Sequence, residues 1–165
     1  RSASMSTKTV GILGGGQLAR MMVLAGAPMG LRFELFDPAA DACGGPLAPL
    51  TVAAFTQLLP YTQKLIHVRW SGEGCWIPLG DFRLGVDFEN HTSHPSVGDI
   101  LFYPGGYSET ELLIAYGGCS FASKMGQLAG NHFITLTSGL ENLPALGKLV
   151  LWKGAQDIRF ELISD

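Results

Sequence analysis

Gly14, Gly15, Gly16 and Gln17 lie between a β-branched apolar run, Lys8 to Leu13, and a stretch of good helix formers, Gln17 to Ala27. The pattern Gly14-x-Gly16-x-x-Ala19, with Asp37 about twenty residues further on, has the spacing of a dinucleotide fingerprint. Glycines let a backbone approach a phosphate, and a helix N-terminus supplies free N–H groups and a favourable dipole. The alternative use of the same glycines is a structural βα turn. A second group is Arg69, Trp70, Glu73 and Trp76, clustered around a turn. An arginine among tryptophans suits a small-molecule cleft in which the guanidinium grips a carboxylate with two hydrogen bonds. The competing reading is an arginine snorkelling over aromatic rings. A third group, Glu109 and Glu111 beside Tyr103 and Tyr107, has the make-up of an acid/base pair, because neighbouring carboxylates push their pKa values apart. Exposed loop carboxylates are the plainer reading.

His91 and His94, with Asp87 and Glu89 upstream, have metal-ligand chemistry but sit in a polar loop, ENHTSHPS. Zinc sites need ligands fixed by regular structure and supporting partners, so solvated histidines are expected here and no metal. His132 has no carboxylate near it in sequence and, next to Phe133 on a strand, should face away from the core or into a cleft. Ser123-Lys124 lacks the SxxK spacing and no GxSxG occurs, so nucleophilic catalysis has no support. No cofactor is expected.

Positioning these groups falls mainly to the stretch Gly98–Leu136, in which short apolar runs alternate with glycine-marked turns. Val97 to Tyr103 reads as a strand ended by Pro104-Gly105-Gly106, Thr110 to Tyr116 as a second and Phe133 to Thr137 as a third. Ser108 to Glu111 matches a capping box, but the flanking turns favour a strand. Earlier in the chain, Lys8 to Leu13, Gln17 to Ala27 and Leu31 to Phe36 read β-α-β. Leu50 to Leu59 reads as a short helix, Lys64 to Trp70 and Cys75 to Leu79 as strands, and Phe82 to Phe88 alternates in part. Cys43 to Pro49 is a shift in composition and the expected seam.

With 165 residues, 47% hydrophobic and 15% charged, the chain has the length and make-up of one globular domain. Twenty-two glycines and nine prolines favour turns and β structure over a helical bundle. A formal charge of −3 argues against a nucleic-acid surface, and no run approaches membrane-span length, so neither partner is expected. Three cysteines without a CxxC pair point to a reduced, cytoplasmic setting. Arg1 to Ser4, ahead of Met5, reads as a tag remnant, and no signal peptide is expected.

Two resemblances follow from longer motifs. GILGGGQLARMMVLAGAPMGLRF with FDPAADAC, roughly residues 8 to 45, resembles the N-terminus of carboxyaminoimidazole ribonucleotide synthases, ATP-grasp enzymes of purine biosynthesis. The resemblance implies that Gly14 to Gln17 descends from a phosphate-contacting loop. It stops near residue 47, so the ATPase activity is not carried over. KLIHVRWSGEGCWIPLG, GDILFYPGGYSETELLIAYGG and FASKMGQLAGNHF, within residues 48 to 163, resemble a bacterial family of unknown function assigned a cyclophilin-like β-barrel. ENLPALGKLV resembles the closing turn and helix of cyclophilins, and IRFEL their last strand. The chain thus reads as a junction of two families, natural fusion or engineered chimera. The chimera is preferred because a truncated synthase fragment has no evident task.

The expected protein is mainly β: a closed cyclophilin-like β-barrel of about eight strands with two short helices, plus an N-terminal βα(β) extension. Residues 1–7 are a tag or disordered, 8–30 the extension and 31–165 the barrel domain, which Leu31 to Phe36 could open as its first strand. Its expected task is to bind a small molecule or peptide in a cleft lined by Arg69, Trp76, Tyr103, Glu109 and Phe133. Peptidyl-prolyl isomerisation is one alternative. Cyclophilins place an arginine directly after a histidine, whereas here Ile66-His67-Val68-Arg69 has one residue inserted, which turns the arginine to the other face. Nucleotide or phosphate binding through Gly14, Gly15, Gly16 and Gln17 is the other. An apolar helix face at Leu18, Met21 and Met22 leaves a homodimer open.

Overall fold

The computed structural model describes residues 9–13, 17–26, 29, 32–36 and 48–163. The chain divides into two compact units, Arg1–Pro46 and Leu47–Asp165. In the first, β1 (Thr9–Leu13), α1 (Gln17–Gly26) and β2 (Arg32–Phe36) follow in order. β1 and β2 pair in parallel, Thr9 with Arg32 through Leu13 with Phe36, as a βαβ connection requires. Arg32–Phe36 therefore pairs with β1 and not with a strand of the large sheet. Gly14, Gly15, Gly16 and Asp37 lie outside the described residues, and Gln17 opens α1. Leu18, Met21 and Met22 are exposed.

The second unit contains α2 (Pro49–Thr56), β3 (Tyr61–His67), β4 (Gly72–Gly80), β5 (His91–Thr92), β6 (Asp99–Tyr103), β7 (Thr110–Cys119), β8 (Ala122–Ser123), β9 (Gly126–Gln127), β10 (Gly130–Thr135), α3 (Leu143–Lys153) and β11 (Gln156–Phe160). Seven of these strands form one antiparallel sheet in the order β11-β3-β4-β7-β6-β10-β5, and β8 pairs with β9 as a separate hairpin. Mainly β structure with two short helices in this unit is as expected from the sequence. The sheet is open: no ladder joins its two ends among the described residues, where a closed barrel of about eight strands was expected.

Alternation along the central strands sorts side chains to two faces. Cys75 and Ile77 of β4, Ile100 and Phe102 of β6, and Leu112 and Ile114 of β7 stand in register and fill the inner core with Phe55, Leu65, Phe133 and Val150. Phe55 of α2 meets Tyr61 of β3, Phe133 of β10 and Phe160 of β11 edge-on, with ring centroids 5.0–5.6 Å apart. One helix residue therefore receives strands from both ends of the sheet. On the outer face, Val68, Leu101, Tyr103 and Leu113 pack under Phe121 and Leu128. Because both faces are covered, all five residues of β6 are buried. Phe82, Leu84 and Val86 are half-buried without a ladder, which explains the partial alternation seen in sequence.

Candidate functional site

The outer face carries a cavity of about 230 Å³. Its floor comes from the β4–β7 ladder, where Trp76 pairs with Leu113 and Pro78 with Glu111. Residues two apart share a face, so the register that buries Leu112 and Ile114 inward delivers Glu111 and Leu113 to the cavity. Thr110 begins a strand, as the flanking turns imply, and not the helix that a capping box would start. Arg69, Trp70 and Ser71, in the turn between β3 and β4, form one wall; Ser108 and Glu109, ahead of β7, another. The remaining wall is Phe121 to Lys124. Ser71 fastens that wall, donating from Oγ to the Ala122 carbonyl at 3.0 Å and accepting from the Ala122 N–H at 3.1 Å.

Charge is the cavity's main feature. Glu111 is only 6% exposed, and its carboxyl has no hydrogen-bond or ion-pair partner among the described residues. Burial, and secondarily the Glu109 charge, push its pKa up to about 8. Glu109 accepts from the Gly80 N–H at 3.1 Å through Oε2. Neither Arg69 nor Lys124 is ion-paired to a described residue, and both are exposed. The Trp76 indole N–H is buried without a hydrogen-bond acceptor among the described residues. A cavity built this way offers aromatic surface, a proton-holding acid and two cations.

Of the residues expected to form a cleft, the structure brings Arg69, Trp76 and Glu109 together in this cavity. Tyr103 lines a separate cavity of about 290 Å³ with Phe88, His91 and Tyr107, divided from the first by Phe121, against whose ring it stands edge-on at 6.0 Å. Phe133 points inward onto Phe55, since a register shift between His132 and Ile134 turns it to the core. Glu73 leaves its sequence neighbours and accepts from the Gly118 N–H on β7 at 2.7 Å. Glu111, named in sequence only as half of an acid pair, is the buried member of the lining.

Other candidate groups serve structure. Glu89 accepts from the N–H of Thr51 and, at 2.8 Å, from its Oγ1; Asn131 donates to Thr51 Oγ1 at 3.0 Å and to the Asp87 carbonyl at 2.8 Å. Among the described residues no three His, Cys, Asp or Glu side chains converge as metal ligands. His132 does find a carboxylate: its Nε2 lies 3.1 Å from Asp99 Oδ1 and 2.8 Å from Thr135 Oγ1, fully buried. Burial pushes the Cys75 and Cys119 thiols up to about 11, so both stay protonated near neutral pH. His67 bonds Tyr116 Oη at 2.8 Å, while Val68 joins the outer cluster and Arg69 lies beyond β3.

A family model described as a protein of unknown function, DUF3830, matches residues 45–162. The chain belongs to the DUF3830 family. The DUF3830 match covers the whole sheet and both cavities. A second model, the ribonucleotide synthetase preATP-grasp domain, matches residues 7–65. Within the N-terminal part the chain is 55% identical over 38 residues to the N5-carboxyaminoimidazole ribonucleotide synthase of Pseudomonas aeruginosa, covering 23% of this chain and 11% of that enzyme. It is 49% identical over 43 residues to the bifunctional purine synthesis protein purC/E of Dictyostelium discoideum, covering 26% of this chain and 4% of the relative. The chain thus spans a small fraction of these enzymes and joins a synthase-like segment to a DUF3830 unit. A solved structure of McbB in complex with tryptophan resembles the fold, with a TM-score of 0.50, 20% identity, 73% of this chain covered and 40% of the other.

Proposed function

We propose that the DUF3830 unit is a small-molecule binding module whose site is the cavity between Arg69, Trp76, Glu109 and Glu111, carried on a curled, cyclophilin-like sheet. The observation that carries this reading is an aromatic-walled cavity lined by a buried Trp76 indole N–H and a 6%-exposed Glu111 carboxyl, neither with a partner among the described residues. Buried polar groups are ordinarily satisfied, and those that are not tend to mark where a ligand completes the bonding. The cyclophilin-like curl is supported by Phe55, which packs against strands from both ends of the sheet. The test is a fragment screen read by the indole N–H signals of Trp70 and Trp76, with Trp152 on α3 as an internal control. Fragments that move the first two and not the third support the reading. If no fragment, charged or neutral, does so at about 10 mM, the cavity is not a binding site.

A second reading concerns the N-terminal unit, because its β-α-β order and the preATP-grasp match both support phosphate or nucleotide binding through Gly14–Gln17. Ribonucleoside monophosphates at a hundredfold over their Kd should stabilise a unit that binds them by about 2.7 kcal/mol. Unchanged unfolding at millimolar nucleotide would sink this idea.

A further inference from the structure

The cavity holds two acids and two bases, and none of the four is ion-paired to a described residue. Glu109 and Glu111 adjoin one another across Thr110 on one side, and Arg69 and Lys124 stand exposed at its edge. Trp70, Trp76 and Phe121 line the same cavity. Resting on the binding reading above, we infer that the ligand is a small zwitterion, a short apolar frame bearing one ammonium and one carboxylate. The ammonium goes to Glu111 and Glu109 against the tryptophan rings, and the carboxylate goes to Arg69 and Lys124.

Each half has a physical reason. An ammonium beside Glu111 favours the ionised form of a carboxyl that burial and Glu109 otherwise keep protonated, and aromatic faces add cation–π attraction. Glu111 has lost most of its water to burial, and its carboxyl has gained no partner among the described residues in exchange, so an ammonium in the cavity would replace part of what folding removed. An arginine at the edge suits a carboxylate because its fork matches both oxygens. A purely anionic ligand would give the Glu111 carboxyl no cation and would add negative charge beside Glu109. A purely cationic one would have to pass Arg69 and Lys124 and would leave both unpaired.

A matched trio of probes separates these cases: norvaline, butylamine and pentanoate, which share a chain and differ only in which charge is kept. Titrated into the full chain and followed at the Trp70 and Trp76 indole signals, norvaline should bind about tenfold more tightly than either single-charge analogue. Glu111→Gln should weaken norvaline and butylamine and spare pentanoate. Arg69→Ala, on an exposed residue whose loss should leave folding intact, should weaken norvaline and pentanoate and spare butylamine. If pentanoate or butylamine matches norvaline, or if only uncharged fragments bind, the zwitterion inference falls while the cavity remains a binding site. If nothing binds, both readings fall. 5-Aminopentanoate, added as a fourth probe, covers a longer separation of charge, and binding by it in place of norvaline supports the inference.

Discussion

A carboxyl group buried without a partner makes folding depend on pH, and Glu111 is such a group among the described residues. Its ordinary pKa is 4.5 and the folded value is about 8, raised by burial first and by Glu109 second. Below the ordinary value both folded and unfolded chains hold the proton and nothing is lost. Between the two values the folded chain keeps a proton that the unfolded chain has released, so stability falls as pH rises and levels off above the folded pKa. At about 1.4 kcal/mol per pKa unit the total reaches a few kcal/mol. Beside Glu109, the other charged side chains lining the cavity are Arg69 and Lys124. Glu111→Gln should therefore leave the urea midpoint near that of the parent at about pH 5 and raise it at about pH 8.5. An equal effect at both pH values would mean that ionisation is not the cause. On β6 and β10, Asp99 accepts from the Ser96 N–H at 2.9 Å and faces His132 and Thr135. Asp99→Ala should cost about 1–3 kcal/mol by stranding those donors, measured by the same denaturation.

At the scale of elements, two contacts hold the helices of the second unit to the sheet. Gly147 of α3 lies so close to Tyr116 of β7 that an added Cβ would stand 2.4 Å from the ring. Gly147→Ala should lose about 1–3 kcal/mol through overpacking, and shortening Tyr116 in the same chain should recover part of it. The start of α2 lacks a side-chain cap of its own, since Ala48 holds that position. Glu89 supplies one from a distant loop, and Asn131 locks the arrangement with bonds to Thr51, Asp87 and Glu89. Glu89→Ala should cost about 1 kcal/mol, in the range of an ordinary cap. Asn131→Ala should cost more, because it is fully buried and makes three bonds. Equal losses from the two substitutions, in denaturant midpoints, would count against this assignment.

For the whole molecule, the Leu47–Asp165 unit has a core of its own, drawn from α2, α3 and six strands. A chain beginning at Leu47 should therefore give a β-rich circular dichroism spectrum and a single cooperative unfolding transition. Non-cooperative melting would show that the core is insufficient. The βαβ unit, with two five-residue strands and one ten-residue helix, is below the size that usually folds unaided.

Short apolar runs bounded by glycine and proline turns were enough to place most strands, because stretches such as Ile100–Tyr103 and Leu112–Tyr116 are too short for helices and suit strands covered on both faces. Composition likewise excluded a helical bundle, and long motifs identified both parts of the junction. The cavity was legible only in part. Arg69, Trp76 and Glu109 lie near turns and could be chosen for their chemistry. Glu111 carried a usable signal, since it sits two residues before Leu113 on the face opposite the inner core. Phe133 was not assignable, because a bulge at His132 decides which way it points. The wall from Phe121 to Lys124 was equally hidden, as it depends on hydrogen bonds to Ser71, fifty-one residues away at Ala122. Closure of the sheet also belonged to tertiary structure, because strand periodicity says which face is buried and nothing about whether the last strand reaches the first. Local sequence determines which residues turn inward; only the folded chain decides which outward residues meet, and here that meeting lines one cavity with acids and bases that are not ion-paired among the described residues.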